Sequence, residues 1–216
     1  MKQGAIFDMD GLMFDTEAMY QAGWNELAAE MGLTLPQQFV IEVSGSSGEL
    51  LKSVVRTYFH TDDPVALYQR VVGTVEEKLK KEVPVKPGLF ELLDWLSAQN
   101  LKLAVASSSY PEVIQNNLRV SGTEKYFSAV VSGSRVGKGK PAPDIFLYAA
   151  EQLGLDPRNC YVFEDSNNGV LAGLAAGCRT VMIPDYVPPK EEVRNSDAVI
   201  LSSLREALQE IKAGRL

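Results

Sequence analysis

Cysteine and histidine are almost missing from this chain, with two of the first and one of the second in 216 residues. Cys160 and Cys178 both lie in apolar patterns that read as core, so no disulfide framework is expected. His60, the lone histidine, falls at the end of a helical pattern, and a histidine-based triad gains no support. No apolar run reaches the length that crosses a bilayer, so no membrane partner is expected. A signal peptide is not expected either, because Lys2 leads straight into the first strand. Basic residues are outnumbered, 21 Lys and Arg against 28 Asp and Glu, giving a formal charge of -7. That balance argues against a nucleic-acid partner, which needs a basic face. Gly137-Lys138-Gly139-Lys140 superficially suggests a nucleotide loop, but it lacks the G-x-x-x-x-G-K-[ST] spacing and runs into Pro141. Internal repeats and low-complexity segments are missing as well. The expectation is a soluble, cytoplasmic globular protein.

What is there starts with length. A chain of this size is one large domain or two unequal ones, and its 45% apolar content is enough for a proper core. Ala5-Ile6-Phe7 reads as a buried strand of a parallel sheet. Asp8-Met9-Asp10-Gly11 follows it, placing two carboxylates at the strand's carboxyl end, where ligands bind in open α/β sheets. Alternation along a strand points Asp8 and Asp10 to the same side. Two carboxylates aimed at one point repel unless a cation lies between them or one holds a proton. A strand followed by an acidic turn is the plainer alternative.

Helical patterns dominate the next stretch. Asp15 or Thr16 is a plausible N-cap for a helix running to Met31, with Met19, Gly23, Leu27 and Met31 on one side. A short helix near Pro36 to Glu42 comes next. Another spans about Ser47 to Phe59, with Leu50, Leu51, Val54 and Val55 as its apolar face. Asp63-Pro64 then opens a fourth, carrying Leu67, Val71, Val75 and Leu79. Beyond Pro84-Val85-Lys86-Pro87-Gly88 the pattern alternates strand and helix to the end of the chain. Strands are expected at Leu101 to Ala106, Ala129 to Val131, Tyr161 to Phe163, Thr180 to Ile183 and Ala198 to Leu201. Alternating β and α means a parallel sheet with helices on both faces. The expected architecture is therefore α/β: a core of residues 1–14 and 85–216, with residues 15–84 inserted as a helical cap over the carboxyl edge. A monomer is expected of a capped domain whose lid must move.

The strand ends carry the chemistry. Asp8/Asp10, Ser107/Ser108 and Glu164/Asp165 each follow a strand, and Lys140 follows a fourth. In a doubly wound sheet these ends converge on one crevice. Clustered carboxylates with little histidine suit a hard divalent cation, Mg²⁺ above all. Ser107, nearby backbone N–H groups and Lys140 suit a phosphate. One opposite charge at about 4 Å is worth roughly 4 kcal/mol at an effective dielectric near 20, on the order of a thousandfold in rate if realised only in the transition state. Asp8 as nucleophile would form an acyl phosphate, and Asp10 could protonate the leaving oxygen and then deprotonate water. Taken singly, the serine run reads equally as turn chemistry, Glu164-Asp165 as a helix cap, and Tyr20 and Trp24 as core.

These pieces, in this order, resemble the haloacid dehalogenase-like hydrolase superfamily over nearly the whole chain. Asp8-Met9-Asp10-Gly11-Leu12-Met13-Phe14-Asp15-Thr16-Glu17 resembles its first motif in the form found in β-phosphoglucomutase-like phosphatases. Ser107 matches the second motif, and Gly139-Lys140-Pro141-Ala142-Pro143-Asp144-Ile145-Phe146 matches the third. Glu164-Asp165-Ser166, with Gly169, Ala172, Ala175, Ala176 and Gly177, matches the fourth. The resemblance implies a Rossmann-like core with an inserted helical cap. It implies Asp8 as nucleophile and Asp10 as general acid/base. Mg²⁺ would be held by Asp8, the Asp10 carbonyl and Asp165, with Glu164 supporting or ligating. Ser107 and Lys140 would bind the phosphoryl group, with Ser108 beside them.

True dehalogenases lack the second aspartate, so Asp10 points to phosphoryl transfer. β-Phosphoglucomutase uses a cap histidine and arginine, which fall at about Tyr20 and Gly48 here, favouring transfer to water. The cap loop Val43-Ser44-Gly45-Ser46-Ser47-Gly48 is expected to face the substrate, so Tyr20, Ser46 and Ser47 are candidate substrate contacts. The expected activity is a Mg²⁺-dependent phosphatase acting on a small phosphorylated metabolite such as a sugar phosphate. A sugar-phosphate mutase and a non-catalytic phosphometabolite-binding protein are the alternatives.

Overall fold

Residues 2–44, 46 and 48–216 are described in a computed structural model. Six strands form one sheet: Gly4–Phe7 (β1), Lys102–Ser107 (β2), Ala129–Ser132 (β3), Cys160–Glu164 (β4), Arg179–Met182 (β5) and Val199–Ile200 (β6). Their order is β3-β2-β1-β4-β5-β6, and every neighbouring pair is parallel. Every residue of β1 and β4 is buried, as an interior strand covered on both faces requires. The chain builds outward from β1 to β3, then returns to lay β4 on the other side of β1. That reversal opens a crevice at the carboxyl ends of β1, β2 and β4.

Period-two alternation sorts the side chains. Ala5 and Phe7 join Leu103, Val105, Tyr161 and Phe163 on one face, while Ile6 joins Ala104, Ala106 and Val162 on the other. The first face is covered by helices Leu89–Ala98, Pro111–Ser121 and Leu204–Lys212. The second is covered chiefly by Asp144–Leu153 and Asn167–Ala175. Cys160 and Cys178 are both buried and free, in line with a role in the core. A four-residue helix, Glu191–Arg194, was too short for periodicity to reveal.

Between β1 and β2 the chain first makes four helices: Thr16–Glu30 (α1), Gln37–Ser44 (α2), Gly48–Phe59 (α3) and Pro64–Leu79 (α4). Trp24 holds this block together, with ring centroids 5.6 Å from Phe39 and 5.4 Å from Phe59. The two chain passages that join the block to the sheet run side by side. Phe14 bridges antiparallel to Val85, Asp15 N–H donates to Pro84 O at 2.8 Å, and Lys86 N–H donates to Met13 O at 2.9 Å.

Four local expectations need correction. Asp15 precedes α1 but its side chain caps nothing; Lys86 draws the carboxylate away at 2.9 Å. Thr16 is the first helical residue and turns its hydroxyl to Asp10. Met31 and Leu50 were placed on apolar faces but are exposed, Leu50 by 61%. Leu50 lies on a cleft wall rather than in the helix-helix seam. The proposed start of α3 at Ser47 lies outside the described residues. Asp63, in contrast, caps α4 by accepting from Ala66 N–H at 3.0 Å, with Pro64 at the first helical position.

Candidate active site

Asp8 is held by the sheet itself. Its N–H donates to Phe163 O at 3.0 Å, so the β1–β4 ladder continues one residue past the strand. The backbone then turns tightly, with Gly11 N–H donating to Phe14 O at 2.9 Å. Gly11 adopts φ +83, and a Cβ there would overlap the carboxylate of Asp165. The turn therefore passes directly under Asp165, which follows β4.

Lys140 arrives from the segment after β3. Its ammonium donates to Asp8 Oδ1 at 2.5 Å, Glu164 Oε1 at 2.5 Å and Ala106 O at 3.3 Å. It also lies 5.0 Å from the Phe146 ring centroid. The amine is thus satisfied and oriented although it is largely buried. Glu164 is buried too, and its second oxygen accepts from Ser166 N–H and Oγ–H, each at 2.9 Å. The Ser166 hydroxyl in turn accepts from Gly169 N–H at 3.0 Å, capping the helix Asn167–Ala175. One serine therefore starts a helix and fixes an acid.

Asp10 has a separate set of partners. Thr16 Oγ1 donates to its Oδ1 at 2.9 Å, and Ser109 Oγ donates to its Oδ2 at 2.7 Å. Ser107, at the end of β2, is buried and its Oγ accepts from Ser109 N–H at 3.1 Å. Ser108, between them, is exposed.

Electrostatics follow from this crowding. Burial pushes the Asp8 pKa up to about 7, with Lys140 opposing and the charge of Glu164 adding to the rise. Burial, then the charges of Glu164 and Asp8, hold Asp165 well above the usual carboxylate range. Asp10 is raised by burial and restrained by its bonds from Ser109 and Thr16. Burial disfavours a charged Lys140, but Asp8 and Glu164 together outweigh it and raise the amine's pKa. Asp8, Glu164 and Asp165 each offer an oxygen, and these oxygens lie within 4.8 Å of one another. With all three carboxylates ionised, one ammonium would leave two negative charges unmatched, which is why burial and mutual repulsion raise the pKa of Asp8 and Asp165. All the donors are hard oxygens, which fits a divalent ion of the Mg²⁺ or Ca²⁺ type.

A cleft of about 480 Å³ adjoins this cluster, lined by Glu17, Ser44 and Leu50 from the helical block and by Asp165, Asp185 and Tyr186 from the sheet side. A smaller hollow of about 150 Å³ shares Glu17 and Ser44 with it and includes Tyr20, Ser46 and Tyr68. Tyr20 packs partly on the core and partly lines this hollow. Ser46 borders it too, with its hydroxyl donating to Val43 O at 3.0 Å. Ser47 lies outside the described residues. Gly48 has φ +56 and open space where a side chain would be.

The structure therefore gathers Asp8, Asp10, Ser107, Lys140, Glu164 and Asp165 at one crevice and leaves Ser108 at the surface. Sequence reasoning did not assign the orienting roles of Thr16, read as a cap candidate, of Ser166, read as part of a motif, or of Ser109, read as turn chemistry. Ser166 carried a readable signal, a serine three residues before the buried helix glycine. The partners of Asp10 carried none, because they come from α1 and from the loop after β2.

The chain is similar to known proteins in sequence and in fold. The family model described as haloacid dehalogenase-like hydrolase matches residues 5–183. A probable pseudouridine-5'-phosphatase of Drosophila melanogaster is 34% identical over 205 residues, covering 91% of this chain and 88% of that protein. The fructose-1-phosphate phosphatase of Escherichia coli K12 is 33% identical over 179 residues, covering 82% and 94%. Among solved structures, a HAD family hydrolase from Deinococcus radiodurans R1 with bound phosphate and sodium superposes with a TM-score of 0.82. It is 26% identical and covers 99% of this chain and 96% of that one.

Proposed function

The chain belongs to the haloacid dehalogenase-like hydrolase family, and from that premise we propose that it is a Mg²⁺-dependent phosphatase of small phosphorylated metabolites, working through an aspartyl-phosphate intermediate. The observation that carries this reading is the shared ammonium of Lys140, which binds Asp8 and Glu164 at the same crevice as Asp10 and Asp165. The relatives named as sugar-phosphate and nucleotide-type phosphatases, and the phosphate bound in the related structure, support the substrate class.

In this mechanism an Asp8 carboxylate oxygen attacks phosphorus, and the bond from phosphorus to the ester oxygen breaks. Asp10 gives its proton to the departing oxygen. Its two hydrogen bonds hold the carboxyl in one orientation, and its raised pKa keeps the proton available. Asp10 next takes a proton from water, whose oxygen attacks the phosphorylated Asp8. The bond from phosphorus to Asp8 then breaks, releasing phosphate and restoring both acids. Lys140 stays cationic and offsets charge on the transferring group. Ser107 and the backbone N–H groups after β2 complete the phosphate cradle. Mg²⁺, held by Asp8, the Asp10 carbonyl and Asp165, would supply the charge that lets one anion approach another. Glu164 spends one oxygen on Lys140 and the other on Ser166, so it acts chiefly to position the amine.

Residues 15–84 form the cap in this reading, and residues 1–14 and 85–216 the core. The paired passages at Phe14 and Val85 would serve as the hinge. Gly48 offers no side chain and Tyr20 is a phenol, so neither of these two positions supplies a cation for a second phosphate, which favours transfer to water.

The test is hydrolysis of p-nitrophenyl phosphate with and without Mg²⁺, alongside Asp8→Asn. Loss of Mg²⁺-dependent turnover in the variant supports the assignment. Equal rates would remove Asp8 from the role.

A further inference from the structure

Resting on that phosphatase reading, we infer that Ser132, at the end of β3, is a positioning residue for the leaving-group acid. It acts through Ser109, whose hydroxyl orients Asp10.

The chain reaches Ser109 just beyond the sheet. Ser107 is the last residue of β2 and pairs with Ser132 in the parallel β2–β3 ladder. Past that pair the ladder ends, yet Ser109 Oγ meets Asp10 Oδ2 at 2.7 Å. Ser132 supplies the support that the ladder no longer gives. Its side chain is buried, and its hydroxyl donates to Ser109 O at 2.7 Å. Every polar group of Ser109 is then engaged. The N–H donates to Ser107 Oγ at 3.1 Å, the carbonyl accepts from Ser132, and the hydroxyl donates to Asp10. A residue tied at three points presents its hydroxyl in one direction.

The direction of each bond follows from the atoms. A carbonyl only accepts, so the single proton of Ser132 is committed to Ser109. The Ser134 hydroxyl, 2.9 Å away, must therefore donate to Ser132 Oγ, which also accepts from Ser134 N–H at 3.3 Å. A serine that only capped the short turn Gly133–Arg135 would need an acceptor and no donor. Here the donor is used too, and it points back to the loop after β2.

Gly133 supports the same role independently. A Cβ there would lie 3.2 Å from Ser108 Cα and 3.6 Å from Ser107 O. The loop that carries Ser107 to Ser109 thus rests directly on the backbone that follows β3. Asp10 is consequently held from two sides: Thr16 binds Oδ1 from the helical block, and Ser109 binds Oδ2 from a loop seated on β3. Freeing that loop lets the carboxyl turn away from the departing oxygen, and small misplacements of a reacting group are costly.

Phenyl and p-nitrophenyl phosphate separate this role from a general one. They transfer the same phosphoryl group, but phenolate is the more basic leaving group and depends more on a proton from Asp10. In Ser132→Ala, the ratio of kcat/KM for p-nitrophenyl over phenyl phosphate should rise by about fivefold or more above wild type. In a Ser109→Ala background, Ser132→Ala should leave the ratio unchanged, because the link to Asp10 is already cut. Ratios within one variant cancel any general loss of activity, including damage to the phosphate cradle that both esters share. If Ser132→Ala does not fold by circular dichroism, Gly133→Ala carries the test, since it crowds the same loop and keeps the hydroxyl; the ratio should again rise. An unchanged ratio in the folded variant, or an equal rise when Ser109 is already alanine, would overturn this inference and leave the phosphatase reading standing. No turnover of p-nitrophenyl phosphate by the wild type would overturn that reading and the inference with it.

Discussion

Lys140 Nζ meets Asp8 Oδ1 at 2.5 Å across 132 positions of sequence. The same nitrogen meets Glu164 at the same distance, so one amine neutralises parts of two strand ends. Removing one partner of a buried ion pair strands the other, at a cost of about 3–5 kcal/mol. Lys140→Ala should lower stability by that order in urea unfolding. In the proposed mechanism it should also reduce kcat/KM on p-nitrophenyl phosphate by about a hundredfold or more, since it would delete the charge that offsets the transferring group.

Gly169 is a helix glycine with a steric reason. A Cβ at this position would overlap the Glu164 carboxylate. By helix propensity alone, Gly169→Ala should stabilise by about 1 kcal/mol. The overlap should reverse the sign and destabilise by about 1–3 kcal/mol. A double-mutant cycle with Glu164→Ala should recover much of that loss, because the obstacle is then gone. Simple additivity in the cycle would contradict the contact.

Metal-free protein should lose stability as pH rises from about 4 to about 7. The sign follows from the raised pKa values of Asp8 and Asp165. In that window the folded chain binds more protons than the unfolded one, so ionisation penalises the fold. Below the unfolded pKa, 3.8 for Asp8, that penalty is absent, and by the folded value of about 7 much of it is present. Thermal midpoints in EDTA across this range should show the slope. Asp8→Asn should flatten it, and saturating Mg²⁺ should do the same in the wild type.

Ser109 restrains Asp10 by donating to its carboxylate at 2.7 Å. That bond favours the charged form, so Ser109→Ala should raise the Asp10 pKa. In the proposed mechanism Asp10 must be protonated for the first step. The alkaline limb of kcat/KM against pH should therefore move upward, by about one unit at most. A limb that stays in place would assign it to another group.

Thr16 separates what short stretches encode from what they leave open. Its place at the start of α1 was readable, because the helix pattern begins there. Its bond to Asp10 was not, since the turn through Gly11 and Phe14 sets that geometry. Leu50 gives the opposite lesson. Helical spacing put it in the seam with Leu51 and Val54, but the helix is rotated so that Leu50 faces the cleft. Periodicity reports which residues share a face and not what the face meets.

The strands, the polar residues at their ends, the helical insertion and the α/β class followed from the order of residues alone, because each is written within a few neighbouring positions. Folding decided the rest. The β3-β2-β1-β4-β5-β6 order brings Asp8, Ser107 and Glu164 to one edge, and the chain after β3 carries Lys140 back to them. Only that packing determines which carboxylates share the ammonium and which one receives two hydroxyls. These outcomes depend on distances between segments far apart in sequence, and no local pattern of residues records such distances.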